Sequence, residues 1–440
     1  MGKYFGTDGL RGKANEALSL DIAIKVGQYL GYSFKGEKIV VGQDTRLSSG
    51  MFASAIAAGA TSMGADVYLL GVCATPALAY AVKNEGFAGG VMISASHNPY
   101  YDNGLKCFAS TGMKISAELE EKIEAYIDGE ISIDVAHSNE IGRVVEFPEG
   151  LETYIQYLES LIDVRFDGLN IVLDTANGSA VSSAERLFKD LGACVTVMNN
   201  NPDGLNINTE CGSTHPKSLQ AKVVEMGADM GFAFDGDADR CLAVNHKGEM
   251  VDGDEILFIL GRFFKSEKQL KEDTIVSTVM ANLGFLKSCQ KSGLNVITTD
   301  VGDKHVYASM NENDYKLGGE QSGHIILKDY ATTGDGVLTA LVIAEIASKA
   351  GKTLAELGSE CIRFPQLLQN VPVNDKQAVM NHDSVKEAEN RIHRALGDEG
   401  RLLLRPSGTE PLVRVMVEAQ TDDLCEHYVN DMINVINNIE

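Results

Sequence analysis

One order of residues occurs three times along this chain and limits what it can fold into. Lys38-Ile39-Val40-Val41-Gly42 leads through a polar loop (43–50) into a helix pattern over 51–63, then into Gly64-Ala65-Asp66-Val67-Tyr68-Leu69. The order returns as Ile171-Val172-Leu173-Asp174, Thr175-Ala176-Asn177-Gly178, a helix pattern over 182–191, and Gly192-Ala193-Cys194-Val195-Thr196-Val197. A third copy runs Thr274-Ile275-Val276-Ser277, Ala281-Asn282-Leu283-Gly284, a helix pattern to Ser292, and Gly293-Leu294-Asn295-Val296-Ile297. Each glycine falls where a helix needs a left-handed stop, and each flanking run is short and β-branched, as buried parallel strands are. Three such units predict three related α/β domains with parallel or mixed sheets, their loops clustered at the carboxyl ends of the strands.

The C-terminal stretch reads differently. A helix pattern over 384–396, strands over 401–404 and 412–418, and a last helix over 422–439 predict a small α+β domain, with Arg363-Phe364-Pro365-Gln366 as the linker into it. We therefore expect domains at 1–150, 151–252, 253–365 and 366–440 around a central cleft. A length of 440 residues is compatible with several units of roughly 150 residues each.

Charge narrows the partners. Asp and Glu number 62 against 38 Lys and Arg, for a net charge of −24. Such a surface repels polyanions on average, which argues against nucleic acid and anionic membrane, but a few focused arginines can still hold an anionic small molecule. The eight cysteines stand singly with no CxxC pair, as core residues in a reducing compartment do. The N-terminus carries no apolar signal core, and charge-free stretches such as 47–65 are too rich in Gly, Ser and Ala for a membrane span. The expectation is a cytoplasmic protein with no membrane insertion.

Four polar clusters carry candidate chemistry. In Ser94-Ala95-Ser96-His97-Asn98-Pro99, which follows the apolar run Gly90-Val91-Met92-Ile93, a serine hydroxyl would stand at a strand's end beside a histidine. A Ser/Asn/Pro turn closing a buried strand is the plainer reading. In Asp235-Gly236-Asp237-Ala238-Asp239-Arg240, three carboxylates spaced by two repel one another unless a cation sits among them, and hard oxygen ligands favour magnesium or calcium. An EF-hand is excluded, because the sixth position is Arg240 rather than glycine and the twelfth is His246 rather than glutamate. A solvated acidic turn is the alternative. Gly318-Gly319-Glu320-Gln321-Ser322-Gly323-His324 offers hydrogen-bonding side chains suited to a polyhydroxylated ligand, or is simply a glycine-rich hairpin. Arg405-Pro406-Ser407-Gly408-Thr409-Glu410-Pro411, with Arg414 on the following strand, has the makings of a phosphate cradle or of an ordinary turn.

Together, in this order, the four clusters resemble the α-D-phosphohexomutase family along essentially the whole chain: a phosphoserine loop of type SHNP, a DGDxDR metal loop, a GExSGH sugar loop and an RxSGTEP phosphate loop. Tyr4-Phe5-Gly6-Thr7-Asp8-Gly9-Leu10-Arg11-Gly12, Asn206-Ile207-Asn208 with Cys211-Gly212-Ser213-Thr214-His215-Pro216, Gln321, and Thr332-Thr333-Gly334-Asp335-Gly336 are similar to the bacterial branch that acts on glucosamine phosphates. Leu10 departs from the commoner isoleucine and touches nothing chemical.

The resemblance implies a phosphoserine domain, a metal-binding domain, a sugar-binding domain and a phosphate-binding domain, in chain order. It implies that Ser96, as phosphoserine, gives its phosphoryl group to O1 of glucosamine 6-phosphate. A glucosamine 1,6-bisphosphate intermediate then turns over and returns its 6-phosphoryl group to Ser96, releasing glucosamine 1-phosphate for amino-sugar and cell-wall precursor synthesis. One Mg2+ per subunit is expected on Ser96, Asp235, Asp237 and Asp239. Arg11, His97 and Lys106 are expected at the reaction centre, with Lys106 the candidate base or an electrostatic support. Glu320, Ser322 and His324 are expected on the sugar, and Arg405, Ser407, Gly408, Thr409 and Arg414 on the phosphate that is not reacting. A phosphomannomutase, a phosphoglucomutase or a non-catalytic phosphoserine-bearing regulator is the alternative. The resemblance also allows a homodimer and a complex with a membrane-bound diadenylate cyclase.

Overall fold

The computed structural model describes residues 2–6, 8–407 and 411–439. The first sheet has seven strands, in the order β1-β2-β6-β5-β3-β4-β7. Its elements run β1 (Phe5–Gly6), β2 (Gly9–Lys13), α1 (Leu20–Ser33), β3 (Lys38–Gln43), α2 (Ser49–Ser62), β4 (Asp66–Val72), α3 (Thr75–Asn84), β5 (Gly89–Ile93), β6 (Asp102–Ala109), α4 (Ala117–Ile127) and β7 (Val144–Glu146). Alternation along the strands sends Ile39, Val41, Val67, Val91 and Ile93 into one core with residues of α1 and α2. On the opposite face Gly90 lies under Val82 of α3, so helices cover both sides, as parallel strands require.

The chain then passes through α5 (Glu149–Ser160) into a five-stranded sheet ordered β12-β11-β10-β8-β9. It is built from β8 (Asn170–Asp174), α6 (Ala184–Asp190), β9 (Cys194–Met198), α7 (Lys217–Met226), β10 (Met230–Phe234), β11 (Cys241–Asn245) and β12 (Met250–Val251). After α8 (Gly253–Ser266) comes a four-stranded sheet ordered β14-β13-β15-β16. Its elements are β13 (Thr274–Thr278), α9 (Leu283–Lys291), β14 (Asn295–Thr299), α10 (Asp303–Asn313), β15 (Leu317–Gly319) and β16 (Ile325–Leu327), followed by α11 (Gly336–Ala350) and α12 (Leu354–Leu357).

The threefold pattern is real and longer than the sequence pattern. In each sheet a parallel strand-helix-strand pair is followed by a third strand parallel to the first and a fourth antiparallel to the third: β6-β5-β3-β4, β11-β10-β8-β9 and β16-β15-β13-β14. The turn between third and fourth strands therefore stands at the carboxyl end of the parallel strands in all three. Residues 94–101, 235–240 and 320–324 occupy those turns.

By contact density the chain divides into two compact units, 1–280 with 294–359, and 281–293 with 360–440. The second contains α9 and a three-stranded antiparallel sheet ordered β17-β19-β18, from β17 (Gln366–Pro372), β18 (Arg401–Pro406) and β19 (Leu412–Glu418). Helices α13 (Lys376–Asn381), α14 (Asp383–Leu396) and α15 (Asp422–Asn437) complete it, and its core joins Val371, Ile392, Val415, Val429 and Ile436. The expected linker at 363–366 runs without helix or strand as far as Pro365. The Phe364 amide donates to the Asn282 side chain at 3.0 Å, the Pro365 carbonyl accepts from Ala419 at 3.2 Å, and Gln366 opens β17. The segment is packed, because Asn282 caps α9 and the buried Glu418, paired with Arg401 at 2.7 Å, accepts the Leu283 amide.

No described helix is long and apolar enough to cross a membrane. Six of the eight cysteines are buried, Cys194 being exposed and Cys361 half-buried.

Candidate active site

Ser96 follows β5 in a strained conformation, at φ 51°, a left-handed backbone that costs a non-glycine residue about 1 kcal/mol or more. A buried scaffold holds it there. Arg46, just beyond β3, pairs with Asp44 at 2.8 Å, both side chains fully buried, and its guanidinium donates to the carbonyls of Ser96 and Asn98 at 2.8 Å and to that of Pro99. Asp44 accepts from Ser94 Oγ at 2.6 Å, and Ser94 Oγ in turn accepts from the Ser96 amide at 2.9 Å. From the second domain Asn208 Nδ2 also donates to the Ser96 carbonyl, at 2.9 Å. Ser94 is thus a supporting hydroxyl, and Ser96 is the one turned outward from this frame.

The hydroxyl of Ser96 meets the second loop. It donates to Asp235 Oδ2 at 2.5 Å and lies 3.4 Å from His97 Nδ1. The approach depends on Gly236, where a Cβ would come within 2.4 Å of the Ser96 carbonyl oxygen. Ala238 takes a left-handed φ of 55° between the second and third carboxylates, and Thr75 Oγ1 donates to Asp237 Oδ2 at 2.5 Å. Asp235, Asp237 and Asp239 are all buried and offer oxygens within 4.8 Å of one another.

Three carboxylates this close cannot all stay charged unaided. Burial, then Asp239 and Asp237, push Asp235 well above the usual carboxylate range. Burial would raise Asp239 too, but Lys106 and His324 outweigh it and hold it well below. Among the described residues, Asp237 Oδ1 and Asp239 Oδ1 are buried without a hydrogen-bond partner. An acidic trio delivered by a rigid hairpin, with unsatisfied oxygens, fits a hard divalent cation and could hold one.

Lys106, on β6, is buried among carboxylates, with Nζ 2.7 Å from Asp237, 3.1 Å from Asp8 and 3.2 Å from Asp239. Burial lowers its pKa, the three carboxylates overcome that, and the net result lies well above the usual lysine value. In this state Lys106 is an ammonium and cannot accept a proton. His97 is the reverse case: burial, then Arg240 and Arg11, lower it to about 4, so its ring is neutral. Arg11, on β2, reaches Asp8 Oδ2 at 2.5 Å.

The third loop docks on the second. The Cys241 amide donates to the Gly323 carbonyl at 3.0 Å, and a Cβ on Gly323, at φ 90°, would sit 2.3 Å from the Cys241 carbonyl oxygen. His324 is buried, with Nδ1 3.6 Å from Asp239 Oδ1 and Nε2 3.1 Å from the Gly334 amide nitrogen. Glu320 is half-buried and accepts from the Gly302 amide at 3.2 Å, while Ser322 is exposed.

In the C-terminal unit Arg405 and Arg414 stand directly opposite each other on β18 and β19. Arg414 Nε is buried without a partner among the described residues, and Ser407 is buried, its carbonyl accepting from Lys376 at 2.7 Å. Gly408 and Thr409 lie outside the described residues.

The structure thus gathers Ser96, Lys106, Asp235, Asp237, Asp239 and His324, all buried, with the half-buried His97 and Arg11 in one network, and puts Arg405, Ser407 and Arg414 together on one hairpin. Sequence reasoning missed Asp44, Arg46, Asp8, Thr75, Lys114 and Asp303. The pair Asp44/Arg46 left one signal, opposite charges immediately after a β-branched strand, since charge at a buried strand's end needs a partner.

Profiles of the phosphoglucomutase/phosphomannomutase family match four successive stretches. Alpha/beta/alpha domain I covers 2–133, domain II 152–248, domain III 252–363 and the C-terminal domain 368–435. The chain is 47% identical over 440 residues to a phosphoglucosamine mutase of Shouchella clausii, covering 99% of each. It is 49% identical over 443 residues to one of Staphylococcus aureus, covering 99% of this chain and 98% of the other. Among solved structures, a phosphoglucomutase/phosphomannomutase family protein from Burkholderia thailandensis has the same fold at a TM-score of 0.81 and 23% identity, over 100% of this chain and 98% of that one. An N-acetylphosphoglucosamine mutase of Aspergillus fumigatus, solved with GlcNAc-6P and magnesium, shares it at a TM-score of 0.69 and 19% identity, over 99% and 95%.

If the Asp44–Arg46 pair builds the serine loop, Arg46→Met should lower stability by about 3 to 5 kcal/mol, the usual result of leaving one member of a buried pair alone. Denaturant unfolding followed by circular dichroism measures it. A loss below about 1 kcal/mol would mean the loop holds its shape without the pair.

Proposed function

The chain belongs to the phosphoglucomutase/phosphomannomutase family, and from that premise we propose that it interconverts glucosamine 6-phosphate and glucosamine 1-phosphate through phosphorylated Ser96. The observation that carries the reading is the Ser96 hydroxyl, 2.5 Å from a buried carboxylate trio and held by a frame of buried side chains. Full-length relatives at 47% and 49% identity that are phosphoglucosamine mutases support the choice of sugar.

Phosphoserine gives its phosphoryl group to O1 of the 6-phosphate. The Ser96 Oγ–P bond breaks as the O1–P bond forms, and the O1 proton passes to a base. The resulting glucosamine 1,6-bisphosphate turns over, its 6-phosphoryl group returns to Ser96, and glucosamine 1-phosphate leaves. Asp235, Asp237 and Asp239 would hold magnesium, which when bound offsets charge on the transferring phosphoryl oxygens.

Lys106 and Arg11 add positive charge on the side of β2 and β6. Lys106 remains the candidate base: once its neighbouring carboxylates are engaged elsewhere, burial is the influence left, and burial lowers an ammonium's pKa. Neutral His97 is placed to hydrogen-bond the phosphorylated serine. Glu320, Ser322 and His324 are proposed to bind sugar hydroxyls. Arg405, Ser407 and Arg414, with Gly408 and Thr409, are proposed to hold the phosphate that is not reacting. Arg405 and Arg414 are neighbours across the strand pair, so one phosphate can accept charge-assisted hydrogen bonds from both.

Two measurements test the reading. Specificity is read as kcat/KM for the 6-phosphates of glucosamine, glucose and mannose under one set of conditions. Glucosamine should lead, with residual activity on the others, since one added polar contact contributes about 1 to 3 kcal/mol; a tenfold preference for glucose or mannose would overturn the choice of sugar. The carboxylate trio is tested with Asp237→Asn, which should abolish turnover while the protein stays folded, with thermal stability falling only modestly, because relief of repulsion with Asp235 and Asp239 offsets part of the lost pairing with Lys106 at 2.7 Å. Full activity after exhaustive chelation would remove the metal role.

A further inference from the structure

Around the carboxylate loop the charged side chains form a closed ring, and four of its six members belong to none of the four sequence clusters. Asp239 faces Lys106 at 3.2 Å, Lys106 faces Asp8 at 3.1 Å, and Asp8, through its other oxygen, faces Lys114 at 2.8 Å. Lys114 faces Asp303 at 2.7 Å, Asp303 lies 4.0 Å from His324 Nε2, and His324 Nδ1 lies 3.6 Å from Asp239. Lys114 comes from the turn after β6 and Asp303 from the start of α10, so the pair joins the first sheet's domain to the third's. Next to it the Thr332 hydroxyl donates to the Gly112 carbonyl at 2.7 Å, a second tie between the same segments.

The pair stands on the wall of a cavity of about 380 Å3 lined by Phe108, Met113, Tyr307 and Ile326, where apolar walls limit screening. What they touch is Asp8, which shares its carboxylate with Lys106 and Arg11, and the neighbourhood of His324.

We propose that Lys114 and Asp303 are positioning residues for the phosphoryl transfer: their ion pair fixes Lys106 through Asp8 on one side and His324 on the other. The proposal rests on the mutase reading of the site. Losing Lys114 leaves Asp8 Oδ1 without its ion pair, frees the carboxylate to turn about its contact with Arg11, and releases Lys106 on that side. Losing the Asp303 charge frees the third-domain end of the ring. Either change displaces reacting groups without removing one, and a displacement near 1 Å can cost on the order of a hundredfold in rate.

The test combines steady-state kinetics with crystal structures of the full-length Lys114→Met and Asp303→Asn variants. Each should lower kcat about 10- to 100-fold with KM for glucosamine 6-phosphate within about threefold, and with Tm moved by no more than about 4 °C, as for a half-exposed ion pair. The double variant should be no worse than the worse single, because both cut one linkage. Lys114→Arg, which keeps the charge, should recover most of the rate. Arg391→Met, which breaks an exposed pair with Asp431, should leave kcat unchanged.

In the crystal structures Lys106 Nζ or the His324 ring should be displaced. The proposal is overturned if kcat stays within threefold of the parent, if the losses multiply in the double variant, or if kcat falls while Lys106 and His324 keep their places. If the parent fails to interconvert the glucosamine phosphates, the mutase reading falls, and unmoved Lys106 and His324 in the variants would still overturn this one.

Discussion

Everything around the site answers to one constraint, the burial of three carboxylates within a few ångströms of each other and of a serine hydroxyl. Asp235, Asp237 and Asp239 are buried, so water cannot absorb their repulsion. The surroundings supply the compensation: Lys106 on two of them, Arg240 and His324 near Asp239, and hydroxyls from Ser96 and Thr75. Even so, two carboxylate oxygens remain without partners among the described residues. A group that is costly when empty is one whose occupant contributes most when bound, which is the logic of a cation site in a phosphoryl-transfer enzyme.

The repeated fold is what makes that arrangement possible. Three copies of one sheet topology deliver three hairpin turns of equivalent position, each with a left-handed residue: Ser96, Ala238 and Gly323. The turns contact one another directly through Ser96 with Asp235 and through Cys241 with Gly323. Each turn has a different chemistry on the same backbone plan, so the specialised function arises from loop residues and the positioning from sheets that share one architecture. Glycines stand at the contacts for a steric reason. At Gly236 and Gly323 a single methyl would collide with the neighbouring loop's carbonyl.

Much of this was legible beforehand, for identifiable reasons. The parallel strand-helix-strand units show because buried parallel strands are β-branched runs and the helices between them end at glycine. The third and fourth strands of the last repeat were not visible as a repeat, since β15 and β16 have three residues each, too short for any period. Strand β17 carries no strand signal in the sequence, because Gln366-Leu367-Leu368-Gln369-Asn370 has no apolar-polar alternation, and only its pairing with β19 makes it a strand. Loops with several functional groups in a row, such as 235–240, declare themselves. Asp8, Lys114 and Asp303 do not, because each is an ordinary charged residue until the fold brings all three to one ring.

The account stands most directly on Ser96 as the carrier of the phosphoryl group. Incubating the purified protein with glucosamine 1,6-bisphosphate and mapping peptides by mass spectrometry decides it. We expect one phosphate, on Ser96 and not on Ser94, and a Ser96→Ala variant that takes up none and loses nearly all turnover. Phosphate on another residue, or a Ser96→Ala variant with normal activity, would contradict the account.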